Sequence, residues 1–201
     1  IGIVTNFKFY EHFLEWREGW QERLDERGVT MTVVDDGTTD NDNRLGAIAD
    51  LNLLVEKMDG IAPSVVAAGD NIFRFDLLPL WQRFQSTARN HVVAMEQKNV
   101  ALLRKTGVLE LDEEDRVVKL HEKPENPPSH WTCPALYFLQ PSALHRLTDY
   151  LEQPETQDAP GHFVAYLAQN EPVYAHKTNG ARFDIGSMAV SYTHLRAHET
   201  R

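Results

Sequence analysis

The sequence predicts an α/β protein with a mixed, mostly parallel sheet flanked by helices. Three observations point there. Short apolar runs such as Ile1-Gly2-Ile3-Val4 and Ser64-Val65-Val66-Ala67-Ala68 are each closed by turn residues. Segments between them carry apolar residues three and four apart, the helical period. In the first half the two types alternate as β-α-β-α-β-α-β, the order that builds a parallel sheet with helices on both faces.

The elements follow in order. Ile1-Gly2-Ile3-Val4-Thr5-Asn6 reads as a buried strand. Phe9, Phe13, Trp16, Trp20 and Leu24 then form one stripe on a single helix ending at Gly28, and the stripe predicts core packing. Val29 to Val34 is the second strand. The polar loop Asp35-Asp36-Gly37-Thr38-Thr39-Asp40-Asn41-Asp42-Asn43 is solvated turn chemistry leading to a helix from about Leu45 to Met58. The Ser64 to Ala68 strand, a helix over Leu77 to Ala88 and a strand at His91 to Met95 complete the first half. The second half changes character, because Gly107 to Leu111 and Val117 to His121 flank the turn Asp112-Glu113-Glu114-Asp115-Arg116 and read as a hairpin. A strand at Ala135 to Leu139 feeds a helix opened by Pro141, a residue tolerated in a first helical turn. A helix over His162 to Gln169 and strands at Val173 to His176 and Ala181 to Phe183 complete the sheet. With 201 residues, 42% hydrophobic and 25% charged, one ordinary core suffices, and no repeat calls for a second domain.

Composition narrows the function classes. A formal charge of -10, with no clustered Lys and Arg, argues against a nucleic-acid surface. Small phosphorylated substrates stay open if a divalent cation screens them. There is no apolar stretch of about 18 residues and no signal-peptide pattern, so no membrane partner and a cytoplasmic location are expected. The single Cys133 has no His or Cys at ligand spacing and reads as an inert thiol.

Both ends look unusual. The chain opens inside a strand with no initiator Met, which suggests a start in mid-domain. At the other end, Ser191-Tyr192-Thr193-His194-Leu195-Arg196-Ala197-His198-Glu199-Thr200 resembles the translation of a transposase-type sequencing adapter. The expected organisation is therefore a partial domain over 1–187 and a non-native tail over 188–201. His194 and His198, four apart with Glu199 adjacent, are set aside as a metal pair on that ground.

Gly69-Asp70-Asn71 follows a buried strand directly. A carboxylate where a strand surfaces suits a metal-phosphate site, since ligands of open α/β sheets bind beyond the strands' carboxyl ends. Gly-Asp-Asn is also ordinary turn chemistry. Three further segments lie at strand ends: Gly107-Val108-Leu109-Glu110, Glu122-Lys123-Pro124 and Phe183-Asp184-Ile185-Gly186.

With these four motifs in order, the sequence resembles the sugar-1-phosphate nucleotidyltransferases, the NDP-sugar pyrophosphorylases typified by glucose-1-phosphate thymidylyltransferase. The resemblance runs from Ile1 to about Ser187 and takes in Ile3-Val4-Thr5-Asn6, Arg44-Leu45-Gly46-Ala47, Ala135-Leu136-Tyr137-Phe138 and Asp158-Ala159-Pro160-Gly161. It implies a Rossmann-like nucleotide-diphospho-sugar transferase fold without its first strand and signature loop. It also implies transfer of a nucleoside monophosphate from NTP to a sugar 1-phosphate by in-line attack at the α-phosphorus.

In that family the matching positions make Asp70 and Asp184 ligands of a catalytic Mg²⁺, an ion that takes hard oxygens from one or two carboxylates plus phosphates and waters. Asp184 reads alternatively as a helix cap. Lys123 matches the lysine that contacts the sugar phosphate and offsets charge there; its alternative is a solvated surface lysine. Glu122 and Glu110 match acidic positions of the sugar pocket, where a carboxylate accepts hydrogen bonds from hydroxyls. Gly107 would let backbone approach the sugar, and a hairpin glycine explains it nearly as well. Gly46 and Ala47 fall where the family passes backbone along the nucleobase, or at a plain helix start.

Two departures matter. The loop Gly-x-Gly-Thr-Arg-x-x-Pro, which cradles the triphosphate, does not occur, so the 201-residue chain alone is expected to be inactive. Ala135 stands where many members have Gly, which alters the sugar pocket. The enzyme alternative is a metal-dependent glycosyltransferase using an Asp-x-Asp motif after a strand; Gly69-Asp70-Asn71 lacks the second Asp, and Asp35-Asp36 keeps that alternative open. A non-catalytic sugar-nucleotide sensor is the other. Base, sugar and oligomeric state, homo-oligomers included, are left open.

Overall fold

The computed structural model describes residues 1–40, 42–58, 60–153 and 159–186. The proposed tail over 188–201, with His194, His198 and Glu199, and Asp158 of the Asp158-Ala159-Pro160-Gly161 motif lie outside the described residues. The element order is β1 (Gly2–Thr5), α1 (Phe7–Glu18), α2 (Gln21–Asp25), β2 (Thr32–Asp35), α3 (Ala47–Lys57), β3 (Ser64–Ala67), β4 (Asn71–Arg74), α4 (Leu78–Thr87) and β5 (Asn90–Glu96). There follow α5 (Val100–Leu103), β6 (Gly107–Leu111), β7 (Val117–Glu122), β8 (Trp131–Thr132), β9 (Leu136–Leu139), α6 (Pro141–Leu151), α7 (Pro160–Asn170), β10 (Val173–Thr178) and β11 (Ala181–Asp184). No helix is long and apolar enough to cross a membrane among the described residues.

The chain divides into two compact units where one was expected, the first formed by Ile1–Ala62 with Pro141–Phe163 and the second by Pro63–Gln140 with Val164 onward. In the first, β1 and β2 pair in parallel, with Ile3 opposite Val33. Gly2 is required there: an added Cβ would lie 2.8 Å from Met58 Sδ and 2.9 Å from Leu54 Cδ1, so α3 packs directly on the strand. The α6 helix buries Ala143, Leu144, Leu147 and Tyr150, one stripe at helical spacing, and Tyr150 meets Phe163 edge-on.

The expected first helix is broken. α1 ends before Gly19, and a short α2 follows. The expectation that its stripe is core also fails, because α1 has no buried residue and Phe9, Trp16 and Trp20 are 40–47% exposed. Of the stripe only Leu24, in α2, is buried, and Trp16 and Trp20 lie against each other with centroids 6.0 Å apart. Periodicity puts side chains on one face but does not say how much of that face a neighbouring element covers.

The second unit holds a seven-stranded mixed sheet in the order β3-β9-β5-β8-β6-β7, with β10 on the other side of β5. β5 and β10 run parallel, as strands joined through helices should, and the other ladders of this sheet are antiparallel. Antiparallel pairing is thus more prominent than the alternation predicts, because β9 enters between β3 and β5 in the opposite sense. Leu80 and Phe84 of α4 form a core with Val93, Leu136 and Phe138, packed against by Phe73, Phe75, Trp81 and Met95. At the sheet margin the buried Asn90 carboxamide donates to Glu171 Oε2 at 2.9 Å and accepts from the Gln140 amide at 2.7 Å.

The strand at Ala181 does not complete this sheet. β11 pairs antiparallel with β4, a strand that the sequence reading passed over, in a separate two-stranded ladder.

Candidate active site

The β4–β11 ladder positions the first pair of candidate residues. Its last pairing sets Asp184 opposite Asn71, so Asp70 stands next to Asp184 although 114 positions separate them in sequence. The Ile185 amide donates to Asp70 O at 2.8 Å and closes the end of the ladder. Asp184 Oδ1 accepts from the Gly186 amide at 3.0 Å. A Cβ placed on Gly186 would lie 2.9 Å from Asp70 Oδ2 and 3.3 Å from Asp184 Oδ1. Glycine therefore leaves a small space faced by one oxygen of each carboxylate.

That space suits a hard divalent cation. Two carboxylates with water and phosphate oxygens match the habit of Mg²⁺, which rarely uses an all-protein cage. No group of three or more His, Cys, Asp or Glu able to hold a metal occurs among the described residues.

The hairpin carries the second group. Gly107 pairs with Glu122, and an added Cβ at Gly107 would meet Glu122 Oε2 at 3.2 Å and Cys133 O at 3.8 Å. The Glu122 carboxylate is half-buried beside Cys133 and Tyr137. Burial first, then this charge, pushes the Cys133 thiol far up, so it stays protonated and inert. The Tyr137 hydroxyl is pushed well up by burial, then by Cys133 and Glu122. Lys123 follows in the left-handed region at φ +45°, its amide donating to Thr106 O at 3.2 Å, with its side chain exposed. A non-glycine residue there is strained by about 1–2 kcal/mol, a feature often found at functional sites.

The two groups share one end of the sheet. The Ala68 amide donates to Ala135 O, two residues beyond Cys133, whose own amide donates to Gly107 O. Asp70 and Glu122 are thus linked through three strand-to-strand steps, from β3 to β9, on to β6 and then to β7.

Glu110 is not brought to this group. It is paired with Lys119 and held 3.1 Å from His121 Nε2, and strand alternation puts it on the hairpin face opposite Gly107 and Glu122. Glu110 and Glu122, expected together, thus stand on opposite faces of the hairpin. Gly46 and Ala47 belong to the first unit, where Gly46 has φ +98° and Ala47 opens α3. Asp35 and Asp36 serve their own loop: Asp35 Oδ1 accepts from the Gly37 amide, and Asp36 Oδ1 from the Thr38 amide and hydroxyl.

Sequence reasoning missed Arg182 and Asn71 as members of the site. Arg182 Nη1 donates to Asn71 Oδ1 at 2.9 Å, and Asn71 Nδ2 donates to Asp70 Oδ1 at 2.5 Å. The available signal was the spacing of Arg182 and Asp184, two apart and so on one face of a strand.

Comparison with known proteins agrees with this architecture. The family model for nucleotidyl transferases matches residues 1–200. A Bacillus anthracis structure assigned as a glucose-1-phosphate thymidylyltransferase, solved with a sucrose, superposes with a TM-score of 0.79 at 18% identity, covering 100% of this chain and 76% of that one. A UDP-glucose pyrophosphorylase solved with UDP-glucose gives 0.76 at 17% identity, covering 98% and 80%. An apo UDP-glucose pyrophosphorylase gives 0.69 at 19%, covering 98% and 81%. With the family matched along almost its whole length and the α/β fold shared, the chain belongs to the nucleotidyl transferase family.

Proposed function

We propose that the protein containing this chain transfers a nucleoside monophosphate from an NTP to a sugar 1-phosphate, giving an NDP-sugar and pyrophosphate in the cytoplasm. The observation that carries this reading is the convergence of Asp70 and Asp184 on the space beside Gly186. In this reading they hold Mg²⁺, which when bound neutralises charge on the phosphates. No protein nucleophile is called for, because the attacking sugar phosphate is already ionised at neutral pH.

The other residues orient substrates. Glu122 is assigned to accept hydrogen bonds from sugar hydroxyls, and its half-buried position against Gly107 supports that role. Lys123 is assigned to the sugar phosphate, supported by an exposed ammonium on a backbone held in the left-handed region. Gly46 and Ala47 are assigned to the nucleobase, with the Gly46 backbone in a conformation that favours glycine. Glu110 has no part in this reading.

The test is pyrophosphate release by the reading frame that contains this chain, assayed with Mg²⁺ over a panel of NTPs and sugar 1-phosphates. Mg²⁺-dependent turnover with at least one pair is expected, with a loss on the order of 100-fold or more in Asp70→Asn and in Asp184→Asn. Turnover retained in both variants would overturn the metal assignment, and a folded protein inactive on every pair would overturn the reaction. The 201-residue chain alone, without a Gly-x-Gly-Thr-Arg loop, is expected to bind NDP-sugar and not to turn over.

A further inference from the structure

We propose that Arg182 is a positioning residue that turns one oxygen of Asp70 and one of Asp184 toward the space beside Gly186. The inference rests on reading these carboxylates as ligands of a divalent cation. Each carboxylate presents two oxygens, and the surrounding polar groups divide them. Arg182 Nη1 donates to Asn71 Oδ1 at 2.9 Å, which fixes the carboxamide so that its Nδ2 donates to Asp70 Oδ1. The other arm of the guanidinium, Nη2, lies 3.7 Å from Asp184 Oδ2. The Arg182–Asn71 bracket therefore addresses Asp70 Oδ1 and Asp184 Oδ2. The oxygens that an added Cβ at Gly186 would meet are the other two, Asp70 Oδ2 and Asp184 Oδ1, the latter also accepting from the Gly186 amide at 3.0 Å.

The ladder makes this arrangement reproducible. Arg182 stands opposite Phe73 and Asp184 opposite Asn71, so the guanidinium and the second carboxylate share one strand face two residues apart. Arg182 is also the more buried of the pair, its side chain 29% exposed against 53% for Asp184, so the charge acts on its neighbours with less screening. Two adjacent carboxylates repel each other, and a fixed guanidinium offsets that repulsion before a cation arrives. The geometry needs a planar fork with two separated donors. A lysine supplies only a point charge and cannot hold Asn71 and face Asp184 together.

The experiment measures binding of Mn²⁺ alone to the purified chain, from the EPR signal of free Mn²⁺. Wild type is compared with Arg182→Lys, Arg182→Gln and Asn71→Ala, with melting in EDTA recorded for each. Outer groups that orient metal ligands typically control affinity by 10–100-fold. A loss of about tenfold or more is expected in Arg182→Lys and Arg182→Gln, and a similar loss in Asn71→Ala, which keeps the positive charge but cuts the relay. A merely structural role would lower the melting temperature and leave Mn²⁺ affinity unchanged. Binding within about twofold of wild type in both Arg182 variants overturns the positioning role while the carboxylate site stands, as does full rescue by Lys. Wild-type binding no tighter than that of Asp70→Asn overturns the carboxylate site itself, and the positioning role falls with it.

Discussion

Replacing Gly186 with Ala places one methyl group in the space between the two carboxylates. The new Cβ would sit 2.9 Å from Asp70 Oδ2 and 3.3 Å from Asp184 Oδ1, where ordinary contact begins at 3.4 Å. Asp70 Oδ2 must then retreat by about 0.5 Å, the whole tolerance of a functional constellation and a quarter of the roughly 2.0–2.1 Å Mg²⁺–oxygen bond. A tenfold weakening of divalent-cation binding, about 1.4 kcal/mol, is expected. Stability should change by no more than about 0.5 kcal/mol, because the displaced atom ends an exposed side chain and Gly186 is not at positive φ. Mn²⁺ titration followed by EPR reads the first quantity, and urea unfolding in EDTA reads the second. Gly69→Ala is the control, since a Cβ there meets nothing within 4 Å. Mn²⁺ affinity of Gly186→Ala within twofold of wild type, or equal losses in both variants, would refute the reasoning.

Three further outcomes follow from the packing. Burial, with the positive charges of Arg83, His176 and Arg89 adding to it, holds the His91 imidazole at about 4 against 6.5 in the unfolded chain. The unfolded state thus takes up the proton first, so stability is lost as pH falls through 6.5 toward 4, by an amount on the order of 3 kcal/mol at the limit; urea midpoints at pH 7 and 4.5 should fall further in wild type than in His91→Gln. Asn90→Ala removes the partner of the Gln140 amide and of Glu171, and a loss of about 2–3 kcal/mol is expected in the same unfolding assay. Phe84 is fully buried against Phe138 and Trp81, and Phe84→Ala should cost about 3–5 kcal/mol, whereas Trp16→Ala on the exposed stripe should cost far less.

The resemblance put Asp70 and Asp184 together, but the residues themselves did not show how they meet. Their proximity depends on β4, and Asn71-Ile72-Phe73-Arg74 follows a turn motif so closely that it reads as loop. Only the pairing with β11 reveals it. The separation of Glu110 from Gly107 was legible, since positions three apart on a strand face opposite ways whatever the hairpin's register. The stripe through Phe9, Trp16 and Trp20 shows the opposite failing. It was read as one face of a single helix, but the helix breaks before Gly19, and periodicity contains nothing about whether another layer covers that face. Arg182 was hidden because an arginine beside an aspartate looks like any surface ion pair until Asn71 is brought to its other arm. The inertness of Cys133 was legible from its lack of partners, and burial beside Glu122 supplies the physical reason.

The most direct test is anomalous diffraction from crystals of the chain grown with Mn²⁺ and an NDP-sugar. A single Mn²⁺ peak at about 2.0–2.4 Å from Asp70 Oδ2 and Asp184 Oδ1, with the nucleotide's phosphate oxygens completing its shell, is the predicted result. An ordered NDP-sugar whose Mn²⁺ lies away from both aspartates would contradict the account.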